Sequence, residues 1–299
     1  MITCLSLNPC LDKALTLPRF TPDAPNRVYL ERVDLGGKGV NVARTIGVLG
    51  GDCRLVGFDY QGMPVAAALE SAGVAHDLVT LDAALRVNLK LRETETGRII
   101  EISEKGAVVS PDALAQISAR LNPPRGSWAA LSGSLPPGAP ENTYEAFCRR
   151  LHALGCRVAV DCDGPALRHA IAAAPDVIKP NAQEFAVLTG VDPADEAAIR
   201  AACQALHRQG VGMICLSQGP CGALLSTAQG CWHCPAADVP VRSAMGAGDA
   251  MLAGLLLALS KGESPETALR YASAVAGAAV MQPGTHPGDP RDVARLFLP

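Results

Sequence analysis

The sequence predicts an α/β protein in which helices cover both faces of a mostly parallel β-sheet. Short apolar segments typical of buried strands alternate with longer segments of helical period along most of the chain. Gly155, Gly190 and Gly210 each directly follow a predicted helix, where a left-handed cap residue is expected. Two other stretches alternate apolar and polar residues and predict a small accessory sheet. Together these observations predict a three-layer α/β/α architecture with a small β lid.

The elements of the main sheet are predicted in regular alternation. In the first part of the chain, a helix over 40–49 lies between strands over 2–7 and 54–58. In the second part, strands are predicted over 128–131, 157–161, 177–179 and 213–217. The helices predicted between and after these strands cover 141–154, 165–173, 182–188, 194–209, 247–259 and 265–281.

The accessory sheet is predicted from residues of about 14–34 and about 86–102. In the second of these stretches Val87, Leu89 and Leu91 alternate with polar residues, and Thr94-Glu95-Thr96-Gly97 predicts a hairpin turn. A lid that covers the strand ends and excludes water is the first interpretation, and an edge extension of the main sheet is the alternative. Because no repeat, low-complexity tract or linker interrupts the chain, we expect residues 1–299 to form one domain with a discontinuous lid.

Charge and hydropathy exclude several classes of protein. The formal net charge is −3 and the basic residues are scattered, which argues against a nucleic-acid partner. No apolar stretch reaches the roughly 20 residues that span a bilayer, and residues 1–7 lack the features of a signal peptide. We therefore expect a cytoplasmic protein without a membrane partner.

The eleven cysteines do not predict a metal site or a disulfide framework. Only Cys231 and Cys234 have a ligand-like spacing, and no second pair completes a four-ligand zinc site. We expect reduced, mostly buried thiols.

The segment Ser243-Ala244-Met245-Gly246-Ala247-Gly248-Asp249 carries the strongest chemical signal. The glycines permit a tight turn with outward backbone N–H groups, and the apolar helix that follows adds its positive dipole end, so Gly246, Ala247 and Gly248 predict an anion site. Asp249, in the first turn of that helix, is placed to accept a proton from a hydroxyl while those amides hold a transferring phosphoryl group. An ordinary loop-to-helix junction is the alternative interpretation.

A second glycine-rich loop, Gly36-Gly37-Lys38-Gly39, precedes the helix that contains Asn41. The complete P-loop motif and the protein-kinase motifs are absent from the sequence, so neither class fits. The glycines permit close approach of a ligand, Lys38 supplies a cation, and Asn41 supplies a donor and an acceptor. Structural glycines before a helix are the alternative.

These motifs stand in an order that resembles the PfkB/ribokinase family of carbohydrate kinases over nearly the whole chain. The branch that acts on phosphorylated ketohexoses is the most similar, through its Asn-Pro-x-x-Asp start, its Gly-Gly-Lys-Gly loop and the run 86–91. The resemblance implies a ribokinase-like fold. The matching segments are 7–12, 36–41, 132–138, 179–184, 217–219 and 246–249.

The resemblance also implies roles for residues on the acceptor side. Asp249 is the expected general base, and the amides of Gly246 to Gly248 form the expected anion hole. Asp12, just past the first strand, is expected to bind sugar hydroxyls together with Gly37 and Asn41. The cations expected to hold the phosphate of the acceptor are Lys38, Arg86, Lys90 and Arg27.

On the nucleotide side, Lys179 and Asn181 are expected near the ATP phosphates, and Glu184 is expected to hold Mg²⁺ through water. Ser217, Gly219 and Gly222 are expected to contact ATP as well. The helix 265–281 and the loop 282–284 are expected to border the adenine.

The implied reaction is transfer of phosphate from Mg-ATP to fructose 1-phosphate, giving fructose 1,6-bisphosphate. Tagatose 6-phosphate is the alternative acceptor, while Glu101 and Glu104 in the lid weigh against fructose 6-phosphate, the acceptor of a 6-phosphofructokinase. A non-catalytic sugar-phosphate sensor and a nucleoside kinase are the other hypotheses; the intact Asp249 argues against the first, and Lys38 and Arg86 argue against the second. A homodimer that pairs through the lid is expected from the same resemblance.

Overall fold

The computed structural model describes residues 1–61 and 65–298. Over these residues the chain forms thirteen strands and ten α-helices. The strands are β1 Ile2–Ser6, β2 Cys10–Leu17, β3 Tyr29–Gly36, β4 Cys53–Tyr60, β5 Ala75–Leu81, β6 Arg86–Glu93, β7 Ile99–Ser103, β8 Trp128–Ser132, β9 Arg157–Asp161, β10 Val177–Ile178, β11 Met213–Ser217, β12 Ala223–Thr227 and β13 Cys231–Cys234. The helices are α1 Lys38–Val48, α2 Val65–Glu70, α3 Pro111–Arg120, α4 Thr143–Ala153, α5 Gly164–Ile171, α6 Ala182–Thr189, α7 Glu196–Arg208, α8 Ala247–Ser260, α9 Pro265–Val280 and α10 Pro290–Phe297.

Nine strands form the main sheet, in the order β13-β12-β11-β10-β9-β8-β1-β4-β5. Neighbouring strands are parallel from β11 to β5, and β12 and β13 add an antiparallel edge. The predicted mostly parallel sheet is therefore confirmed. The sequence analysis missed β5, β12 and β13. The edge strands β5 and β13 are less uniformly buried and carry a weaker apolar signal, whereas β12 lies between β11 and β13, is mostly buried and was missed although it is apolar.

Two hydrophobic clusters cover the two faces of this sheet, which confirms the three layers. Tyr144, Phe147 and Leu151 of α4 belong to the cluster on one face. On the other face, α8 is buried from Asp249 to Leu259 because it lies between the sheet and α9. A helix that is enclosed in this way can be apolar on all sides, which explains the uninterrupted apolar run in the sequence.

A separate four-stranded sheet, the lid, has the order β3-β2-β6-β7. The two inner strands, β2 and β6, are parallel, and both outer pairs are antiparallel. The predicted small sheet is confirmed, but its first strand begins at Cys10 instead of about residue 14. Asp12, expected just past the first strand, lies within lid strand β2: β1 ends at Ser6 and the chain turns through residues 7–9 before β2 begins.

No helix of the described ranges is both long and apolar enough to span a membrane.

Candidate active site

The carboxyl ends of the parallel strands form one edge of the main sheet. Because β1, β8 and β9 pair in parallel, Ser6, Ser132 and Asp161 end neighbouring strands in register at this edge. The lid adjoins it, since β2 follows β1 after three residues and β3 leads through Gly37 into α1. Ligands of open parallel sheets bind at such an edge.

The predicted anion site is the N-terminus of α8. Gly246 is the N-cap residue with φ 74°, a conformation that glycine adopts without strain. The amides of the first helical turn have no acceptor within the helix, and the helix dipole makes this end positive. A Cβ on Gly248 would lie 3.1 Å from the Lys179 Nζ, so the absence of a side chain lets this ammonium approach the amides.

Asp249 lies in this first turn and is only 7% exposed. Its Oδ2 accepts a 2.7 Å hydrogen bond from the Nδ2 of Asn41 in α1. Burial and, after it, the neighbouring Asp161 raise the pKa of Asp249, while Lys38, the Asn41 hydrogen bond and Lys179 oppose the rise; the resulting pKa is about 6. A carboxylate with a pKa near neutral pH can accept a proton and release it again.

The inner face of the lid carries a chain of polar side chains. Asp12 is buried, and its Oδ1 accepts a 3.0 Å hydrogen bond from Asn88 Nδ2. Arg86 in turn donates to Asn88 Oδ1 at 3.2 Å. A Cβ on Gly36 would collide with the Asp12 carboxylate, so glycine is required there. Sequence reasoning did not single out Asn88, although the period of β6 places it on the same strand face as Arg86 and Lys90.

The four cations that were predicted for the acceptor phosphate do not all lie together. Arg86 Nε donates to the carbonyl oxygens of Asn8 and Pro9, at 3.1 and 3.3 Å. Lys90 lies on the inner lid face, 3.9 Å from a carboxylate oxygen of Glu101. Arg27 is exposed in the loop before β3 and has no hydrogen bond or ion pair with the described residues.

Lys38, the fourth cation, belongs to a buried network of lysines and carboxylates. Its Nζ lies 2.9 Å from Asp161 Oδ1 and 3.3 Å from Glu184 Oε1, while Lys179 Nζ lies 3.0 Å from Asp161 Oδ2. Burial lowers the pKa of Lys38, but Asp161, Glu184 and Asp249 outweigh it and raise this pKa. Burial likewise tends to raise the pKa of Asp161, but the two lysines hold it below the usual range.

Asp161 is fully buried at the end of β9, and the sequence analysis did not identify it. The available signal was its position as the last residue of a predicted parallel strand, where functional side chains are common. In the structure, Lys38, Lys179, Glu184 and Asp249 thus lie around the carboxylate of Asp161.

The nucleotide-side residues predicted from the chain lie beside this network. Asn181 caps α6, and its backbone N–H donates a 2.9 Å hydrogen bond to Oε2 of Glu184. Ser217 pairs with Asn181 through a parallel bridge, and Gly219 opens the short 3₁₀ turn that follows. At position 222 glycine is needed for a steric reason, because a Cβ there would collide with the Cys234 carbonyl.

The loop 282–286 after α9 also reaches the anion site. A Cβ on Gly246 would lie 3.5 Å from the Cα and Cβ of Thr285, so the loop packs on the N-cap of α8. The Thr285 Oγ1 is buried and has no hydrogen-bond partner among the described residues.

The donor set fits a magnesium ion that retains most of its water. Within the described ranges, no group of three or more His, Cys, Asp or Glu side chains is placed to hold a metal. However, carboxylate oxygens of Asp161 and Glu184 both lie within 3.3 Å of the Lys38 ammonium. Mg²⁺ prefers such hard oxygen donors and commonly uses one or two carboxylates with water and phosphate.

Comparison with known proteins assigns the chain to a family. The model of the pfkB family carbohydrate kinases matches residues 6–292. The chain belongs to the pfkB family. The carbohydrate kinase motifs quoted above lie within the matched range, and so do Asp161 and Asn88.

Several relatives of this pfkB kinase are phosphofructokinases. The chain is 35% identical to a 1-phosphofructokinase of Rhodobacter capsulatus, over 99% of this chain and 95% of the relative. It is 30% identical to a 1-phosphofructokinase of Escherichia coli K12, over 94% and 91% of the two chains. The ATP-dependent 6-phosphofructokinase isozyme 2 of the same organism is 28% identical, over 99% and 97%.

Solved structures also resemble the fold. Phosphofructokinase-2 from Escherichia coli in complex with potassium superposes with a TM-score of 0.91 at 27% identity, covering 99% of this chain and 97% of that one. Arabidopsis thaliana ribokinase complexed with ribose and ATP has a TM-score of 0.80 at 21% identity, covering 99% and 98%, and supports the fold alone. The chain is therefore a sugar kinase with a ribokinase-like fold.

Proposed function

We propose that this kinase transfers the γ-phosphate of ATP to the C6 hydroxyl of fructose 1-phosphate. The observation that carries the proposal is the buried Asp249, which lies in the first turn of α8 and is hydrogen-bonded to Asn41. The polar inner face of the lid supplies groups of the kind that a sugar phosphate requires. The full-length relatives named 1-phosphofructokinase support this acceptor.

The proposed reaction uses groups already in place. Asp249 removes the proton of the acceptor hydroxyl, whose oxygen attacks the γ-phosphorus as the bond to the ADP oxygen breaks. The amides of Gly246 to Gly248 and the ammonium of Lys179 stabilise the charge on the transferring group. A Mg²⁺ ion would be held through water by Glu184 and Asp161 and would neutralise phosphate charge.

The acceptor is oriented by the lid in this proposal. Asp12 accepts hydrogen bonds from sugar hydroxyls, and Asn88, Gly37 and Asn41 line the same space. Arg86 and Lys90 hold the phosphate at C1. Lys38 acts nearer the transferring phosphate, because Asp161 and Glu184 hold its ammonium on the nucleotide side.

The acceptor assignment is tested by a coupled assay of ADP release at saturating Mg-ATP over fructose 1-phosphate, fructose 6-phosphate, tagatose 6-phosphate, fructose and a nucleoside. We expect kcat/KM for fructose 1-phosphate to exceed that for either 6-phosphate by about tenfold or more, or roughly 1.4 kcal/mol of differential transition-state binding. A lead for tagatose 6-phosphate would overturn the acceptor and leave the kinase assignment intact. No turnover of any acceptor would favour a non-catalytic sensor.

Replacing Arg86 with Ala should affect one substrate only. A charge-assisted contact with phosphate contributes on the order of 1.5 to 3 kcal/mol, so the KM of the sugar phosphate should rise by roughly tens of fold. The KM of ATP should stay within about twofold. Arg92→Ala, on the same strand, is the matched control. An equal loss of ATP affinity would contradict this placement of the acceptor phosphate.

The pH dependence should follow Asp249. Because the general base must be ionised and burial raises the pKa of Asp249 to about 6, kcat/KM should decline as the pH falls through this value. The check is a pH–rate profile of the free enzyme with the acceptor subsaturating. A profile that stays flat down to about pH 4, the usual carboxyl value, would exclude Asp249 as the base.

We also propose that two copies pair through the lid. Apolar side chains of the lid strands are exposed in the single chain, which a second copy would cover. Light scattering in solution tests this, and a monomeric mass would contradict it. The exposed residues are Tyr29, Leu30, Val33, Ile99 and Ile102.

A further inference from the structure

Lid strand β3 carries an ion-pair cluster that touches the body of the protein. Asp34 is 8% exposed and pairs in register with Asp12 on β2. Its Oδ2 lies 2.5 Å from Arg32 Nε, and its Oδ1 lies 3.3 Å from Nε2 of His286. Arg44 of α1 faces the same carboxylate. Three side chains from the lid, α1 and the loop after α9 therefore converge on Asp34.

The side chains of Arg32 and Asp34 meet the loop at Gly284. Gly284 has φ 64°, and a Cβ on it would collide with Arg32 Nη2 and Asp34 Oδ2. The guanidinium and the carboxylate thus lie directly against the loop, at a position where only glycine leaves room.

The next residue of the loop reaches the anion site. Thr285 packs on Gly246, the N-cap of α8, as described above. A continuous path of contacts runs from Asp12 to its lid neighbour Asp34, across Gly284 and Thr285, and on to Gly246. The steps are a strand pairing, the packing of the Asp34 side chain against Gly284, the chain bond to Thr285, and the packing of Thr285 on Gly246.

We propose that Arg32, Asp34 and His286 form a latch, which holds the lid in a fixed position relative to the N-terminus of α8. In the reaction proposed above, on which this inference rests, the latch couples the two substrates: acceptor bound against Asp12 seats β3 on the loop, and the loop sets the α8 N-terminus for the transferring phosphate. These three are positioning residues, because they act through Asp12 and Gly246 and not on the reacting atoms.

The coupling is measured as the ratio of dissociation constants for a non-hydrolysable ATP analogue with and without saturating fructose 1-phosphate, or whichever panel acceptor the wild type turns over. Typical couplings are roughly 5- to 150-fold, so we expect the acceptor to tighten analogue binding by about fivefold or more in the wild type. Asp34→Asn should reduce the ratio to below about twofold and lower kcat. The dissociation constant of the acceptor alone should scarcely change.

His286→Gln is the second variant, because His286 is half exposed and we expect its replacement to leave the fold intact. Glu31→Gln is the matched control: Glu31 lies on the same strand and pairs with the exposed Arg92. It should keep the wild-type coupling. Partial rescue by Asp34→Glu would show that the charge, and not the volume, matters.

Two results overturn the latch while the proposed function stands. One is a wild type that turns over an acceptor but shows no coupling; the other is unchanged coupling in both Asp34→Asn and His286→Gln. A wild type that turns over no acceptor refutes the proposed function and the latch together. Turnover with intact coupling in the variants refutes the latch alone.

Discussion

Asp249→Asn is expected to reduce turnover of the sugar phosphate by roughly 10²- to 10⁴-fold, the usual contribution of a general base. Asparagine keeps the size of the side chain and an oxygen that can still accept from Asn41, so both substrates should bind normally. Steady-state kinetics with both substrates, together with equilibrium binding of each, checks the expectation. Near-normal turnover in the folded variant would remove Asp249 from the mechanism.

The same replacement should make the protein more stable at pH 8. Because the folded pKa of Asp249 is about 6, above the value of an unfolded aspartate, its contribution to stability is present at low pH and is lost as the pH rises through 6. The variant has no such loss, so its free energy of unfolding at pH 8 should exceed that of the wild type by on the order of 1 to 3 kcal/mol. At pH 4 the two should be nearly equal. Less activity with more stability is a combination that misfolding cannot produce.

Asp161→Asn is expected to have the opposite effect on stability. Asp161 is fully buried between Lys38 and Lys179, and Lys179 is almost fully buried as well. Removing one partner of a buried ion pair leaves a buried charge without compensation, which typically lowers the free energy of unfolding by about 3 to 5 kcal/mol. Denaturant titration at pH 7 measures this change.

Asp163→Asn provides the control for this experiment. Asp163 lies two residues further along and its side chain is exposed, so its replacement should change stability by less than about 0.5 kcal/mol. Equal effects of the two variants would show that the buried network around Asp161 does not stabilise the fold. The pKa of Asp161 is lower in the folded protein than in the unfolded chain, so its ionised carboxylate stabilises the fold at pH values above the unfolded pKa. The difference in the free energy of unfolding between wild type and variant should therefore vanish as the pH falls through the folded pKa.

The sequence predicted the fold because most of its determinants are local. Apolar runs of strand length and helix caps such as Gly190 depend only on residues that are close in sequence. The order of the motifs indicated the family. The start of α8 could be predicted for the same reason, since Gly246 and Asp249 lie within one helical turn. The edge strands β5 and β13 were missed, because partial exposure removes the apolar pattern.

Contacts between distant segments could not be predicted from the sequence. Asp161 meets Lys38 across 123 residues and Asn41 meets Asp249 across 208, and no local pattern encodes such a meeting. Lys38 was expected, from the family resemblance, among the cations that hold the acceptor phosphate. Its contacts with Asp161 and Glu184 could not be predicted, since the direction of a long side chain depends on the charges around it.

The position of Asp12 on a lid strand has a consequence for the economy of ATP. In the proposed reaction, Asp12 and the side chains that hold the acceptor phosphate belong to the lid, while Asp249 and the proposed anion site belong to the body. When the lid is raised, a water molecule near Asp249 lacks the partners that would orient it for attack, and the activated phosphate meets no competent nucleophile. In the proposed reaction, recognition of the acceptor by the lid therefore reduces hydrolysis of ATP when no acceptor is bound.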